Sequence, residues 1–382
     1  MITQSYRAIT LAALAILLAG CGGNSTKTVS QSCTVQALPQ EFAYQLGASG
    51  DGTTISMFAL NPCTGSISST SPSTAPTGIS PGQIPAEDMA VDPLGRFAYV
   101  ANLVSNASDQ ATIAMYTINR NTGVLTPTTP ATVSTGFFPQ GITVDPTGKF
   151  VYTANSDDNT ISMFTINAGT GVLSPTTPPA VATGWAPGFL TVDPSGRFLY
   201  VTNRDDGTIS MYTINVATGV LSPTSPATVP GGADPFAIIV DPSGKFAYLA
   251  DNLNGMVGQF TINQATGVLT PMMLPSVPAG QGTTAVTLDP SGKFAYATNR
   301  LDGTLSMFIV NPVTGALTPN TTATIAAGRL PFRILFDPSG KFLYAVNEES
   351  ATSVYTINAD GTLTPAGATG DAAIAMAIVA IK

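Results

Sequence analysis

The chain carries a Phe-x-Tyr pair seven times, and its last five copies follow one another at a fixed step of 48 residues. Around each pair, short apolar or alternating runs are separated by turn-forming residues, which predicts four strands per repeat, A to D. Repeats of this length and content are typical of propeller blades, and seven of them fill residues 41–382. The sequence therefore predicts an all-β, seven-bladed β-propeller of four-stranded blades. The pairs are Phe42/Tyr44, Phe97/Tyr99, Phe150/Tyr152, Phe198/Tyr200, Phe246/Tyr248, Phe294/Tyr296 and Phe342/Tyr344.

Two turns recur with the same chemistry in each repeat. Between strands A and B the chain reads Asp-Pro-x-Gly, in which Pro presets a negative φ, Gly tolerates a positive φ and Asp accepts backbone N–H groups. An Asn opens the turn from strand C to strand D. The tetrads begin at Asp92, Asp145, Asp193, Asp241, Asp289 and Asp337, and the second turns begin at Asn61, Asn119, Asn167, Asn215, Asn263, Asn311 and Asn358.

The first repeat begins directly with strand B, at residues 41–46, and has no strand A before it. A long apolar run at residues 372–381 follows the seventh repeat. We predict that this run is the inner strand A of the first blade, because pairing the two chain ends removes the exposed sheet edge that would otherwise remain.

The beginning of the chain predicts export. Residues 1–20 combine Arg7 with an apolar run too short to span a bilayer, and they lead into Leu-Ala-Gly-Cys ending at Cys21. That tetrapeptide resembles the lipobox of bacterial lipoproteins, which implies cleavage before Cys21, lipidation of its sulfur and amine, and attachment to the cell envelope in the periplasm or at the cell surface. Residues 21–40 are small and polar, so we interpret them as a flexible tether. A plain secretory peptide is the alternative, and it also predicts export.

Two further cysteines remain, and an oxidising compartment favours pairing them. Cys33 lies just before the first blade and Cys63 lies in the C-to-D turn of that blade. We therefore predict a Cys33–Cys63 disulfide that joins the incoming segment to blade 1.

The charge balance argues against nucleic-acid binding. Charged residues are 9% of the chain, against about 25% in ordinary domains. Removal of the leader takes away Arg7, leaving 13 basic and 22 acidic residues and a net charge of −9. We see no basic patch for a phosphate backbone, no metal-ligand spacing and no phosphate-cradling glycine loop, so we expect a monomer without nucleic acid, metal or cofactor.

The strand-B sequence Tyr200-Val-Thr-Asn203, its variants after Tyr152, Tyr296 and Tyr344, and the Asp-Pro-x-Gly-Arg/Lys-Phe before them resemble YVTN-type repeats. Such repeats occur in seven-bladed lactonase-like propellers, which include 6-phosphogluconolactonase-like proteins and a muconate-lactonising relative. The resemblance covers nearly all of residues 41–382. It implies lactone chemistry in a cleft of arginines and a carboxylate with histidine assistance. This chain has no histidine, so a carboxylate would have to act as the general base.

Comparison of the repeats separates scaffold from candidate site. The A-to-B and C-to-D turns are nearly uniform, whereas the D-to-A and B-to-C connections vary and emerge together on the opposite face of a four-stranded blade. We therefore place the candidate site on that variable face. The catalytic candidates are Arg204, Arg300, Arg333, Glu87 and Asp88; the ligand-binding candidates are Trp185, Phe137, Phe138, Gln140 and Arg329; Asp205, Asp234, Glu348, Glu349 and Asp371 accompany them.

Two arginines follow the strand-end Asn in blades four and six. Arg204 and Arg300 could grip a carboxylate or phosphate bidentately. The alternative is that they are solvated side chains paired with the nearby Asp205 and Asp302.

Arg333 and Asp88 are the charges at the start of inner strands, where a charge must reach the channel or a partner. They form either a ligand site or a structural ion pair. Trp185, Phe137 and Phe138 form either an apolar wall at the rim or ordinary packing between blades.

The leading functional hypothesis is an exported, lipid-anchored propeller that binds a lactone, a carbohydrate or a surface protein on its variable face. A lactonase that hydrolyses a sugar lactone is the first alternative. A purely structural protein of the cell envelope is the second.

Overall fold

The computed structural model describes residues 40–47, 53–78, 86, 88–103, 111–370 and 372–381. These residues form 28 β-strands in seven antiparallel sheets of four strands each, which confirms the all-β, seven-bladed prediction. In this part of the chain no helix has the length and apolarity required to cross a membrane. The leader, Cys21, the tether up to residue 39 and Cys33 lie outside the described residues.

The strands of each blade follow one another from the innermost, A, to the outermost, D. Blade 1 contains β28 (Ala373–Ile381), β1 (Gln40–Gly47), β2 (Thr54–Leu60) and β3 (Ile67–Pro76), and blade 2 contains β4 (Asp88–Val91), β5 (Phe97–Asn102), β6 (Thr112–Ile118) and β7 (Leu125–Ser134). Blade 3 contains β8 (Pro139–Val144), β9 (Phe150–Asn155), β10 (Thr160–Ile166) and β11 (Leu173–Ala182), and blade 4 contains β12 (Pro187–Val192), β13 (Phe198–Asn203), β14 (Thr208–Ile214) and β15 (Leu221–Pro230). Blade 5 contains β16 (Pro235–Val240), β17 (Phe246–Asp251), β18 (Met256–Ile262) and β19 (Leu269–Pro278), and blade 6 contains β20 (Thr283–Leu288), β21 (Phe294–Asn299), β22 (Thr304–Val310) and β23 (Leu317–Ala326). Blade 7 contains β24 (Pro331–Phe336), β25 (Phe342–Asn347), β26 (Thr352–Ile357) and β27 (Leu363–Thr369).

The last strand of the chain closes the ring. β28 pairs antiparallel with β1, from Gln40 opposite Ile381 to Gly47 opposite Ala373. It also contacts β24 and β4, the inner strands of blades 7 and 2. The prediction that the C-terminal run supplies the missing strand A of blade 1 is therefore confirmed, and no inner edge of blade 1 stays open.

The repeated Phe-x-Tyr pair joins each blade to the next one. The Tyr200 hydroxyl of blade 4 donates a hydrogen bond of 2.9 Å to the carbonyl of Gly267, in the C-to-D turn of blade 5. A Cβ on Gly267 would lie 2.2 Å from the Phe198 ring, so the pair holds this turn through both side chains. The other six hydroxyls bond equivalently, Tyr44 to Gly123 at 2.8 Å, Tyr99 to Gly171 at 3.0 Å, Tyr152 to Gly219 at 2.9 Å, Tyr248 to Gly315 at 2.6 Å, Tyr296 to Gly361 at 2.9 Å and Tyr344 to Gly65 at 2.6 Å.

We expect Tyr200→Phe to lower the free energy of unfolding by about 1–3 kcal/mol, because it leaves the Gly267 carbonyl buried without its donor. Urea denaturation measures the change. The matched control is Tyr212→Phe, whose hydroxyl bonds to the exposed Ala182 at 2.7 Å, where water can replace it. Equal losses of unfolding free energy in the two variants would show that the hydrogen bond between blades stabilises the protein no more than the exposed one.

Candidate functional site

The two faces of the ring differ in how their connections are built. We call the side with the D-to-A and B-to-C connections the loop face, and the side with the A-to-B and C-to-D turns the turn face. On the loop face, a B-to-C side chain holds the neighbouring D-to-A backbone: Asp206 accepts a 2.7 Å hydrogen bond from Trp185 N, and Asp302 accepts one of 2.7 Å from Gln281 N. These two aspartates therefore order the loops.

The predicted aromatic wall does not assemble. The Trp185 side chain is 66% exposed, and Phe137 and Phe138 are half-buried. No ring contact among the described residues joins the three. Trp185 and Phe137 take equivalent rim positions in neighbouring blades, because the Phe137 amide is held by Asp158 at 2.7 Å just as the Trp185 amide is held in its own blade.

A different set of aromatic residues surrounds the mouth of the central channel. The ring of Phe236 lies 5.2 Å from that of Phe189 and 5.4 Å from that of Phe332, between centroids. They line a cavity of about 260 Å³ together with the predicted Gln140 and Arg204. Its remaining lining residues are Glu348 and Ile374.

Local backbone irregularity carries these side chains to the channel. The register between strands A and B shifts at the start of the inner strand in blades 3 to 7, which leaves Gln140, Phe236 and Phe332 without a residue opposite them. Such β-bulges redirect a side chain from the sheet face. Phe189, Phe236 and Phe332 could not be selected from the sequence, because an apolar residue at the start of an inner strand has the same pattern as a residue of the hydrophobic core.

Arg204 and Arg300 are both held in bidentate ion pairs that bridge neighbouring blades. Arg204 contacts Asp234 with its Nε at 2.9 Å and its Nη2 at 3.3 Å. Arg300 contacts Glu348 at 3.0 Å and 2.5 Å. Burial opposes ionisation of Asp234, but hydrogen bonds from Arg204 and Asn252 hold its pKa below the ordinary value. The hydrogen bonds that Arg300 donates to the Glu348 carboxylate raise the pKa of Arg300.

The alternative pairing of these arginines with Asp205 and Asp302 is therefore wrong. The partners lie one blade further along the ring. Both guanidinium groups are already neutralised by these carboxylates, so neither is free to bind an anionic ligand in this structure.

Arg333 reaches across the channel mouth. It extends from blade 7 to place Nη2 3.2 Å from Asp88 Oδ1 of blade 2. Its guanidinium also lies 3.7 Å from the ring centroid of Phe189 in blade 4 and 5.5 Å from that of Phe332. Asp88 accepts a further hydrogen bond of 3.1 Å from the backbone N–H of Ile142. The side chains of Arg333 and Asp88 are 18% and 15% exposed.

This ion pair leaves hydrogen-bonding capacity unused. Nε and Nη2 of Arg333 are buried, and neither directs an N–H at an acceptor among the described residues, although Nη2 is within ion-pair distance of Asp88. Burial raises the pKa of Asp88, and the charge of Arg333 and backbone N–H groups only partly oppose this. Arg333 is therefore the least compensated cation at the channel mouth.

The remaining predicted residues lie apart from this cavity or outside the described residues. Arg329 pairs with Glu349 at 2.7 Å on the surface, with the arginine side chain 78% exposed. Glu87 and Asp371 lie outside the described residues. Within the described ranges, no group of three or more His, Cys, Asp or Glu side chains is placed to hold a metal ion.

The structure places Cys63 in a disulfide. Its predicted partner, Cys33, lies outside the described residues, so the pairing of these two cysteines stays a prediction.

Comparisons with known proteins agree with this architecture. Among solved structures, the ring is similar to a proposed 6-phosphogluconolactonase from Bacteroides fragilis, with 22% identity, a TM-score of 0.74, and 91% of this chain and 100% of that chain covered. It is also similar to a periplasmic gluconolactonase of Pseudomonas aeruginosa, with 18% identity, a TM-score of 0.70, and 90% and 99% covered. These identities establish a shared fold.

A search of curated proteins finds no match. The model of the lactonase family of seven-bladed β-propellers matches residues 51–185 and 187–379. That match spans most of the chain, and the protein therefore belongs to the lactonase family of seven-bladed β-propellers.

Proposed function

We propose that this protein is an exported, lipid-anchored propeller that binds a small, oxygen-rich anion or lactone in the cavity at the channel mouth. The observation that carries the proposal is the Arg333 guanidinium, which packs on Phe189, a wall residue of the cavity, and whose buried Nε and Nη2 have no hydrogen-bond acceptor among the described residues. Buried donors without acceptors are rare in proteins, so these N–H groups favour a ligand that supplies the acceptors.

The cavity suits a ligand of about the size of one sugar ring. Its volume of about 260 Å³ lies just below the usual range for small-molecule sites, roughly 300–1,000 Å³. Phe189, Phe236 and Phe332 offer apolar surface, and Gln140 offers an amide that can donate and accept. Glu348 also lines the cavity, but both of its oxygens accept hydrogen bonds from Arg300, which reduces its repulsion of an anion.

Lactone hydrolysis is the second candidate, and one observation favours it. Asp88 has a raised pKa and lies beside Arg333. A carboxyl group that ionises closer to neutral pH can take and return a proton, while an arginine can stabilise negative charge that develops on a carbonyl oxygen. Similar folds in proteins described as gluconolactonases support this chemistry by analogy only.

Export and lipid anchoring rest on the leader. The order of Arg7, an apolar run and Leu-Ala-Gly-Cys21 is that of a lipoprotein signal. Mass spectrometry of the protein from bacterial membranes, with a diacylated Cys21 at the mature amino terminus, would be the expected result. An intact leader would contradict it.

The binding proposal is tested by calorimetry of the full chain with gluconate, glucuronate and D-glucono-1,5-lactone, with acid release followed for the lactone. We expect at least one probe to bind, and Arg333→Met to weaken that binding about tenfold or more, since it removes a charge-assisted hydrogen bond. The matched control is Arg329→Met, an arginine of the same face outside the cavity, which should change binding less than about twofold.

Absence of binding by all three probes at millimolar concentration would overturn the proposal, as would equal losses in the two variants. Acid release above the buffer rate, abolished in Asp88→Asn, would add catalysis to binding. A thermal melt of each variant separates loss of binding from loss of fold.

A further inference from the structure

The turn face carries a ring of cations, which are the Arg or Lys residues of the repeated Asp-Pro-x-Gly-Arg/Lys-Phe motif. In six blades the residue directly after the A-to-B turn, at the base of strand B, is basic. In blade 1 the same position holds Glu41, which is 4% exposed. The six basic residues are Arg96, Lys149, Arg197, Lys245, Lys293 and Lys341.

Among the described residues, five of these six cations form no ion pair. Arg96 is half-buried and pairs with Asp92 at 2.8 Å, whereas the other five residues are exposed. None of the four lysines forms an ion pair within the described part of the chain. Their ammonium groups on flexible stems therefore form the outermost layer of this face.

The carboxylates of the turn face lie beneath that layer. The tetrad aspartates are at most 9% exposed. Asp193, for example, accepts hydrogen bonds from the backbone N–H groups of Arg197 at 2.8 Å and Phe198 at 2.7 Å. The net charge of the face is thus near zero, but its accessible surface is cationic, and Asp360 is the exposed acid on it among the described residues. The expectation that no basic patch serves a phosphate backbone stays a prediction.

The loop face carries a net negative charge. Its described residues include ten acidic side chains and four arginines. The acidic residues are Asp88, Asp157, Asp158, Asp205, Asp206, Asp234, Asp251, Asp302, Glu348 and Glu349, and the arginines are Arg204, Arg300, Arg329 and Arg333. An anionic surface would therefore repel the loop face and accept the turn face, which fixes an orientation.

Apolar side chains are mixed with the cations of the turn face. Leu94, Val216 and Val313 are 47%, 60% and 83% exposed there, in A-to-B and C-to-D turns. Leu253 and Leu301 are similarly exposed on the loop face, at 74% and 63%, but they lie there among acidic side chains. The turn face instead combines exposed aliphatic side chains with exposed cations, which matches the boundary of an anionic bilayer. A phosphate backbone would use the cations but not the aliphatic groups, so lipid is favoured over nucleic acid.

The described chain also begins on this face. β1 starts at Gln40, beside the end of β28 at Ile381, at the turn-face end of blade 1. Eighteen residues separate Gln40 from Cys21, the predicted lipidation site. The segment that leads from Cys21 therefore joins the ring on the turn face.

We propose that the turn face docks on an anionic lipid surface, with its cation ring against the headgroups and the loop face with its cavity directed away from the membrane. The inference rests on the lipid-anchored part of the proposed function. It does not depend on ligand binding at the cavity, which is measured separately.

The test uses the chain from residue 21 onward with Cys21→Ser, so that neither the apolar leader nor an acyl chain contributes, and vesicles of phosphatidylcholine with or without 30% phosphatidylglycerol. We expect co-sedimentation only with the anionic vesicles, and less of it at 0.5 M salt than at 0.05 M. Combined Lys149→Gln, Lys245→Gln, Lys293→Gln and Lys341→Gln should weaken that binding about tenfold or more.

The matched control places the same change of four charges on the loop face, by combining Ala233→Glu, Leu253→Glu, Gln281→Glu and Leu301→Glu at exposed positions. It should bind within about twofold of the parent, because these positions face away from the lipid. Equal binding to both vesicle types, or equal losses in the two quadruple variants, would overturn the proposal. Binding to duplex DNA without binding to the vesicles would overturn it as well.

Discussion

Deletion of residues 372–382 is expected to abolish the cooperative unfolding transition of the ring. β28 supplies Ala375 and Val379 to the core between blades 1 and 2, and Ala373 and Met376 to the core between blades 7 and 1. Its removal would expose both cores and leave the whole edge of β1 unpaired. The chain would then be an open arc, in which blades at the two ends unfold independently of the middle ones.

The measurement is urea denaturation followed by far-UV circular dichroism and by fluorescence of Trp185, the sole tryptophan, in blade 4. In the intact chain the two transitions should coincide, and in the truncated chain they should separate or flatten. As a control, a synthetic peptide of residues 372–382 should restore the transition, and a scrambled peptide should not. A truncated chain that melts like the intact one would contradict closure by β28.

Asp88→Ala is expected to lower the free energy of unfolding by about 3–5 kcal/mol, because it leaves the Arg333 guanidinium buried without its counter-ion. The double variant Asp88→Ala/Arg333→Met should recover most of that loss, since it removes the buried charge as well and keeps an apolar side chain on the Phe189 ring. Denaturant unfolding of Asp88→Ala, Arg333→Met, the double variant and the parent gives the coupling energy between the two side chains.

The control for this cycle is Asp205→Ala, another loop-face carboxylate, which is exposed. It should change the unfolding free energy by less than about 0.5 kcal/mol. If Asp88→Ala costs no more than this control, or if the double variant recovers nothing, then the pair is not the buried, coupled unit that its geometry indicates.

The fold was accessible from the sequence because its determinants are local and repeat. Asp-Pro-x-Gly specifies the A-to-B turn by its own chemistry, and the missing first strand A can be counted against the extra run at the end. The structural role of the Phe-x-Tyr pair could not be predicted from the sequence, since Tyr200 donates its hydrogen bond to Gly267 in the next repeat, 67 residues away.

The site was only partly accessible, for two physical reasons. Partners that meet through the ring are distant in sequence: Arg204 contacts Asp234 in the next blade, and Arg333 contacts Asp88 in a blade near the opposite end of the chain. A β-bulge also changes where a side chain points without leaving a composition signal, so Phe236 was indistinguishable from a core residue. The Arg or Lys after each Asp-Pro-x-Gly turn was visible in the sequence, but its gathering on one face was not, because six separate repeats contribute one each.

The most direct test of the central claim, a ring closed by its two chain ends, is amide hydrogen exchange measured on peptides that cover residues 40–47 and 373–381. We expect both to exchange together, as slowly as the inner strand β12 of blade 4, because all three would open only with global unfolding. Rapid exchange of residues 373–381 while β12 remains protected would show that the last strand is not part of the closed ring.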